Sequence, residues 1–181
     1  MAKTVTRFAN EMADREAIRD CLTRYGRGID RCDKALLATV FWPDGHVEFE
    51  TFHDGPVPDY VTKANQAMSG AMEQTHHMLG NMLIDIDSDG NTASCESYVV
   101  AFHRLPGDQG PHDLLLGGRY LDTLAKRNDE WRILNRTFVA DWFRDHADSG
   151  DWAAGFFGLR MTPGGRFPAD RSYGLFKGEH Q

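Results

Sequence analysis

The spacing of apolar residues changes at residue 75, from a helical period to a period of two, and this switch constrains the fold more than any other feature. Before it, Ile18, Leu22, Tyr25 and Ile29 fall at i, i+4, i+7 and i+11 and predict a helix over 10–30, with Asn10 as its N-cap. A short helix over 35–41 follows, capped by Asp33. Trp42-Pro43-Asp44-Gly45 reads as a turn, 46–50 as a half-buried strand, and 59 to about 73 as a third helix. After the switch, 75–87, 92–104, 113–126 and 131–142 read as four long strands. The segments between them, Asp87 to Asn91, Leu105 to Pro111 and Arg127 to Glu130, carry turn chemistry. Helices first and a strand meander afterwards predict an α+β fold, with helices packed on one face of a curved antiparallel sheet.

The 181 residues suit one domain, with a core over about 10–145. Residues 146–181, where Trp152, Phe156, Phe157, Phe167, Tyr173 and Phe176 lie among Gly and Pro, read as an irregular aromatic arm or lid. An apolar content of 41% is enough for a core. Acidic residues exceed basic ones by 27 − 20 = 7, which argues against a nucleic-acid partner bound through phosphate neutralisation. No apolar run is long enough for a membrane span, and no apolar stretch follows the charged N-terminus as in a secretory signal. Cys21, Cys32 and Cys95 are odd in number and form no CxxC pair, so a reducing, cytoplasmic setting is expected.

Several chemistries lack their motif. There is no HExxH, no GxGxxG opening a helix, no phosphate-binding GxxxxGK and no GxSxG, so neither a metal nor a cofactor is expected. His76 and His77 are neighbours on a strand and point to opposite faces, so they cannot share a metal ion. Gly117-Gly118, inside a strand, marks a bulge or bend.

What remains is acid–base work. Asp30 closes the first helix one residue after the apolar stripe ends at Ile29. His77 shares strand parity with Leu79, Asn81 and Leu83. A buried imidazole beside a carboxylate is held in one tautomer and makes a competent base. On these residues alone, Asp30 equally reads as a cap for the next helix or a partner for Arg31, and His77 as a hydrogen-bonded core histidine.

The chain resembles the SnoaL-like branch of the NTF2-like superfamily. The matching pieces run in order from Tyr25-Gly26-Arg27-Gly28-Ile29-Asp30-Arg31-Cys32-Asp33 through Phe41-Trp42-Pro43-Asp44-Gly45 and Thr75-His76-His77-Met78-Leu79-Gly80-Asn81. They continue with Glu96-Ser97-Tyr98, Gly117-Gly118-Arg119-Tyr120-Leu121-Asp122, Trp131 to Thr137, and Asp141-Trp142. The resemblance implies a cone, in which a bent sheet wraps around helices and encloses an apolar pocket.

Relatives in that branch include cofactor-independent dehydratases, a dehydrochlorinase and deformylating lyases. Asp30 falls where the dehydrochlorinase has its catalytic Asp, and His77 precedes Asn81 by the same four residues as its catalytic His, with His76 the second choice. The resemblance further suggests Arg136 as a late basic residue, the alternative being a surface arginine paired with Glu96. Tyr25 becomes a hydrogen-bond donor to a leaving group, or else core. Asp141 becomes a pocket carboxylate, or else the partner of Arg136. Trp42, Phe49, Met68, Met72, Asn81, Leu116 and Tyr120 become substrate-binding candidates.

The expectation is a lyase or isomerase acting on a hydrophobic cyclic or aromatic small molecule. The alternatives are a non-catalytic binding or assembly module, or a polyketide cyclase with Asp30 as base. Relatives assemble as dimers or trimers through the outer sheet face, so a homo-oligomer is expected here.

Overall fold

The computed structural model describes residues 2–108, 110–147, 150, 152, 154 and 162–176, with side chains from Val5 onward. Helix α1 (Ala2–Asp30) leads into α2 (Lys34–Thr39), then β1 (Phe41–Phe49), β2 (His53–Pro56) and α3 (Val57–Gly70). Strands β3 (Gln74–Ile86), β4 (Thr92–Leu105), β5 (His112–Arg127) and β6 (Glu130–Ala147) follow. They form one curved six-stranded sheet in the order β2-β1-β6-β5-β4-β3. All neighbours are antiparallel except β1 and β6, which run parallel, so the sheet departs in that one pairing from the all-antiparallel expectation.

The stripe of α1 is the core's spine. Ile18, Cys21, Leu22, Tyr25 and Ile29 are buried against Phe41, Val47, Tyr60, Val99, Leu124 and Ile133. Each such aliphatic side chain contributes roughly 1.5–3 kcal/mol on leaving water. Asn10 is not a cap, because the helix begins at Ala2. Nothing between Lys3 and Ala9 breaks a helix, so the turns propagate outward past the core with Val5 and Phe8 exposed. Asp33 does cap α2, accepting from the Leu36 amide at 3.0 Å. Helix α2 can lie against α1 because Gly28 has no side chain: a Cβ there would stand 3.0 Å from the Leu37 nitrogen.

Two strand irregularities set which residues face the core. Trp42 to Gly45 form no free turn but are absorbed into β1, whose pairing with β6 shifts between Phe41 and His46. In β3 the register shifts between Leu79 and Met82. Thr75, His77 and Leu79 face inward before the shift, and Met82, Ile84 and Ile86 after it. Leu83 and Asn81 are therefore exposed, against the simple parity expectation. Gly117-Gly118 does mark a bulge, since Gly117 pairs with Trp142 but Gly118 with Ala140. The β5–β6 turn has Asn128 and Asp129 both at positive φ (53° and 62°), as a two-residue type I′ hairpin requires.

The described part of the C-terminal arm lies against the end of α1. The Phe167 amide donates to the Arg31 carbonyl at 2.7 Å, Arg31 Nη1 to the Gly165 carbonyl at 2.8 Å, and the Tyr173 hydroxyl to Asp33 Oδ2 at 2.8 Å. Phe156 and Phe157 lie outside the described residues. No described helix is long and apolar enough to cross a membrane.

Candidate active site

Asp30 is the last residue of α1, so its side chain emerges where the helix meets the inner face of β3. There it contacts His77 twice. The Nδ1–H of His77 donates to Oδ1 at 2.7 Å, and the His77 backbone amide donates to Oδ2 at 2.8 Å. Both side chains are only 7% exposed. Burial alone would push the Asp30 carboxyl up. The hydrogen bond from the His77 ring, the charge that ring can carry, the His77 amide and the Thr75 hydroxyl outweigh it, and the group ionises below the usual carboxylate range. An ionised Asp30 fixes the tautomer: Nδ1 holds the proton and Nε2 is left with its lone pair.

His77 forms part of the wall of a cavity of about 160 Å³. The wall is almost wholly apolar. Ile29, Ala64, Met68 and Met72 form it with Val99, Ala101 and Leu116, and an aromatic cluster of Phe49, Phe52, Tyr120 and Phe138 completes it. A cavity near 150 Å³ accepts a benzene-sized molecule. The polar groups are few. Tyr25 and Tyr60 share a hydrogen bond between their hydroxyls at 2.9 Å. His103, buried on β4, meets the His77 ring edge to face at 5.2 Å between centroids, and neither of its nitrogens has a hydrogen-bond partner among the described residues. Burial first, then the neighbouring His77 and Arg166, lower the His103 pKa to about 4, so the ring is neutral at pH 7. Burial also raises the Tyr60 and Tyr120 hydroxyls well above the ordinary phenol, with the Tyr25 hydroxyl adding to it.

Phe49, Met68, Met72, Leu116, Tyr120 and Tyr25 thus line the cavity that His77 lines. Four other candidates do not. Arg136 is fully buried in a two-pronged ion pair with Asp122 (Nε to Oδ1 2.7 Å, Nη2 to Oδ2 2.8 Å), and not paired with Glu96. Its guanidinium lies 4.0 Å from the ring centroids of both Tyr25 and Tyr120, behind the cavity wall. Asp141 sits on the outer face and pairs with Arg119 at 3.0 Å rather than with Arg136, because the β6 bulge turns it outward. Glu96 binds the same Arg119. Trp42 lies away from the cavity. Its Nε1 donates to the Ala125 carbonyl, and its ring is covered by Arg127 and Arg132. Asn81 is turned outward by the β3 register shift.

Sequence reasoning missed His103 and Arg166. The signal for His103 was available: it shares the inward parity of Ala93, Cys95, Val99 and Ala101 on β4 and pairs in register with Thr75. Arg166 gave no such signal, since it belongs to an irregular segment. Among the described residues, no group of three His, Cys, Asp or Glu side chains is placed to hold a metal ion.

The SnoaL-like domain profile matches residues 10–137. No curated protein matches the chain in sequence. Among solved structures, a protein from Novosphingobium aromaticivorans described as a candidate scytalone dehydratase is similar with a TM-score of 0.69 at 23% identity, over 78% of this chain and 93% of that one. A protein from Kribbella flavida is similar at 0.67 and 25% identity, over 74% and 95%. A type 2 hexachlorocyclohexane dehydrochlorinase is similar at 0.70 and 20% identity, over 77% and 93%. These likenesses show the same α+β fold, a curved sheet packed on helices. The profile match takes in the helix that ends at Asp30 and the strands that carry His77 and His103, and the chain belongs to the SnoaL-like domain family.

Proposed function

We propose that the protein is a lyase that removes a proton from carbon in a neutral, ring-sized hydrophobic molecule, with His77 as the base and no cofactor. One observation carries this reading: Asp30 occupies Nδ1 of His77 and leaves Nε2 free at the wall of a ring-sized apolar cavity. In the step, Nε2 takes the proton, the C–H electron pair becomes a carbon–carbon double bond or an enolate, and the leaving group departs with its own pair. Asp30 stabilises the imidazolium through the hydrogen bond it already makes. The proton is then handed to a leaving hydroxyl, released to solvent with a halide, or returned to a different carbon in an isomerisation. A placed base of this kind supplies about 10²–10⁴-fold.

His103 and the Tyr25–Tyr60 hydroxyl pair give the substrate its hydrogen bonds. His103 offers one N–H and one lone pair without a competing partner among the described residues. Asp30 as direct base, the polyketide-cyclase alternative, has less support, because both of its oxygens are engaged by His77. The similarity to a dehydrochlorinase and to a candidate dehydratase supports elimination over other chemistries.

The test is incubation in D₂O with monocyclic compounds that carry a hydroxyl or halide β to an acidic C–H, read by mass spectrometry. Loss of water or hydrogen halide, or deuterium uptake, is expected from the wild type and not from folded His77→Gln. Ligand binding with no C–H exchange by the wild type would instead mean a binding module.

A further inference from the structure

The guanidinium of Arg166 stands where three chain segments meet behind the Asp30–His77 pair. Its Nη1 donates to the Asp30 backbone carbonyl and, at 2.8 Å, to Thr75 Oγ1. Its Nη2 donates to the carbonyls of Met68 (3.2 Å) and Met72 (3.3 Å). Asp30 ends α1, and Met68 lies in the last turn of α3. Carbonyls at a helix C-terminus lack intrahelical partners and carry the negative end of the helix dipole, so a cation with a planar fork of donors suits them. Thr75 stands opposite His103 in the β3–β4 ladder, two residues before His77, and its hydroxyl oxygen accepts from Arg166. Arg166 thus ties the backbone of Asp30 directly to the start of β3, from a position 136 residues beyond Asp30 in sequence.

We propose that Arg166 is a positioning residue of the site: by joining the ends of α1 and α3 to the start of β3, it sets the distance and orientation of Asp30 toward His77. The arm is thus a working part of the site, not only a cover for α1. Arg166 is not among the described residues that line the cavity, so its effect on a substrate runs through its neighbours Asp30 and His103. The groups around the pair are Asp30, Arg31 and Cys32 from the end of α1, His77 from β3, His103 from β4 and Arg166 from the arm. The charge on Arg166 also acts directly on His103, holding it neutral together with burial.

This inference rests on the base role given to His77, and its test has one arm that does not need turnover. In Arg166→Gln, the His77 Nδ1–H resonance, followed by NMR, is expected to exchange with solvent at least about tenfold faster, and the His103 titration is expected to rise by about 1 pH unit. Thr75→Val keeps the shape and the guanidinium and removes only the tie between Arg166 and the start of β3. It should give the faster His77 exchange without the His103 shift, and it serves where Arg166→Gln fails to fold. With an active substrate, both variants should lower kcat about tenfold or more with KM unchanged. Tyr173→Phe, which releases the arm only from Asp33, should leave kcat at the wild-type value. An unchanged His77 resonance in both Arg166→Gln and Thr75→Val would overturn the proposal, whatever the turnover. A faster-exchanging resonance in a protein with no lyase activity would uphold it and overturn the function proposed above.

Discussion

The ring of His103 packs edge to face on that of His77 at 5.2 Å, in a contact where neither His103 nitrogen finds a partner among the described residues. This has a consequence for stability against pH. His103 holds a proton in the unfolded chain below about 6.5 but in the folded protein only below about 4. Between these values the unfolded state binds more protons. Stability is therefore complete above pH 6.5 and is lost as pH falls toward 4, by about 3 kcal/mol for the full gap. Asp30 contributes in the same direction only at lower pH, because its carboxyl ionises below its ordinary value. Urea unfolding at pH 7 and pH 4.5 should show a smaller loss for His103→Phe than for the wild type. Equal losses would mean that His103 is not held neutral.

The size of the cavity should decide the substrate. Ala64 is buried in the middle of α3 and lines the wall that faces His77. Ala64→Leu adds three carbons to a space of about 160 Å³. A single methylene in such a pocket is worth about 10–200-fold in discrimination, so this variant should lose at least tenfold in affinity for a ring-sized ligand while its thermal midpoint stays level or rises. Isothermal titration with a monocyclic ligand measures the first and calorimetry the second. Undiminished binding would place the ligand elsewhere.

Arg136 and Asp122 carry opposite charges at zero side-chain exposure, so neither tolerates the loss of the other. Asp122→Ala leaves a buried guanidinium with aromatic faces, Tyr25, Tyr120 and Phe41, in place of its carboxylate. Removing one member of such a pair costs about 3–5 kcal/mol, whereas replacing both with apolar residues of similar volume is often neutral. Guanidinium denaturation should show Asp122→Ala well below the wild type and Asp122→Leu/Arg136→Met close to it. A mild Asp122→Ala would mean that Arg136 has access to water.

These contacts also mark what the sequence could reveal. Strands β3 to β6 are legible because each keeps a period of two over many residues, and Asp30 because it ends a clean helical stripe. His77 faces inward as parity requires, but Asn81 does not, since the Gly80-Asn81 bulge resets parity. The outward turn of Asp141 has the same origin in β6. Trp42 resembled a pocket residue because large apolar side chains usually sit inside; two arginine guanidinium groups cover it instead. Arg166 reaches the site through contacts made only in three dimensions, with backbone carbonyls that have no sequence signature.

The outer face of the sheet gives the last prediction. Met78, Val100, Gly117 and Trp142 stand opposite one another across four strands, with the Trp142 ring lying where a Cβ of Gly117 would be. Leu83, Tyr98 and Leu121 extend the patch, and all the side chains named are exposed in the single chain. An apolar surface of this breadth is rare on a stable monomer. The polar groups within it, Arg119 with Glu96 and Asp141, already satisfy one another and so oppose burial less than free charges would. A second copy of the chain is the expected cover. Light scattering after gel filtration should give a whole multiple of the chain mass for the wild type, and the mass of one chain for Tyr98→Lys/Val100→Lys. A wild type that runs as one chain at 100 μM would leave this face for another partner.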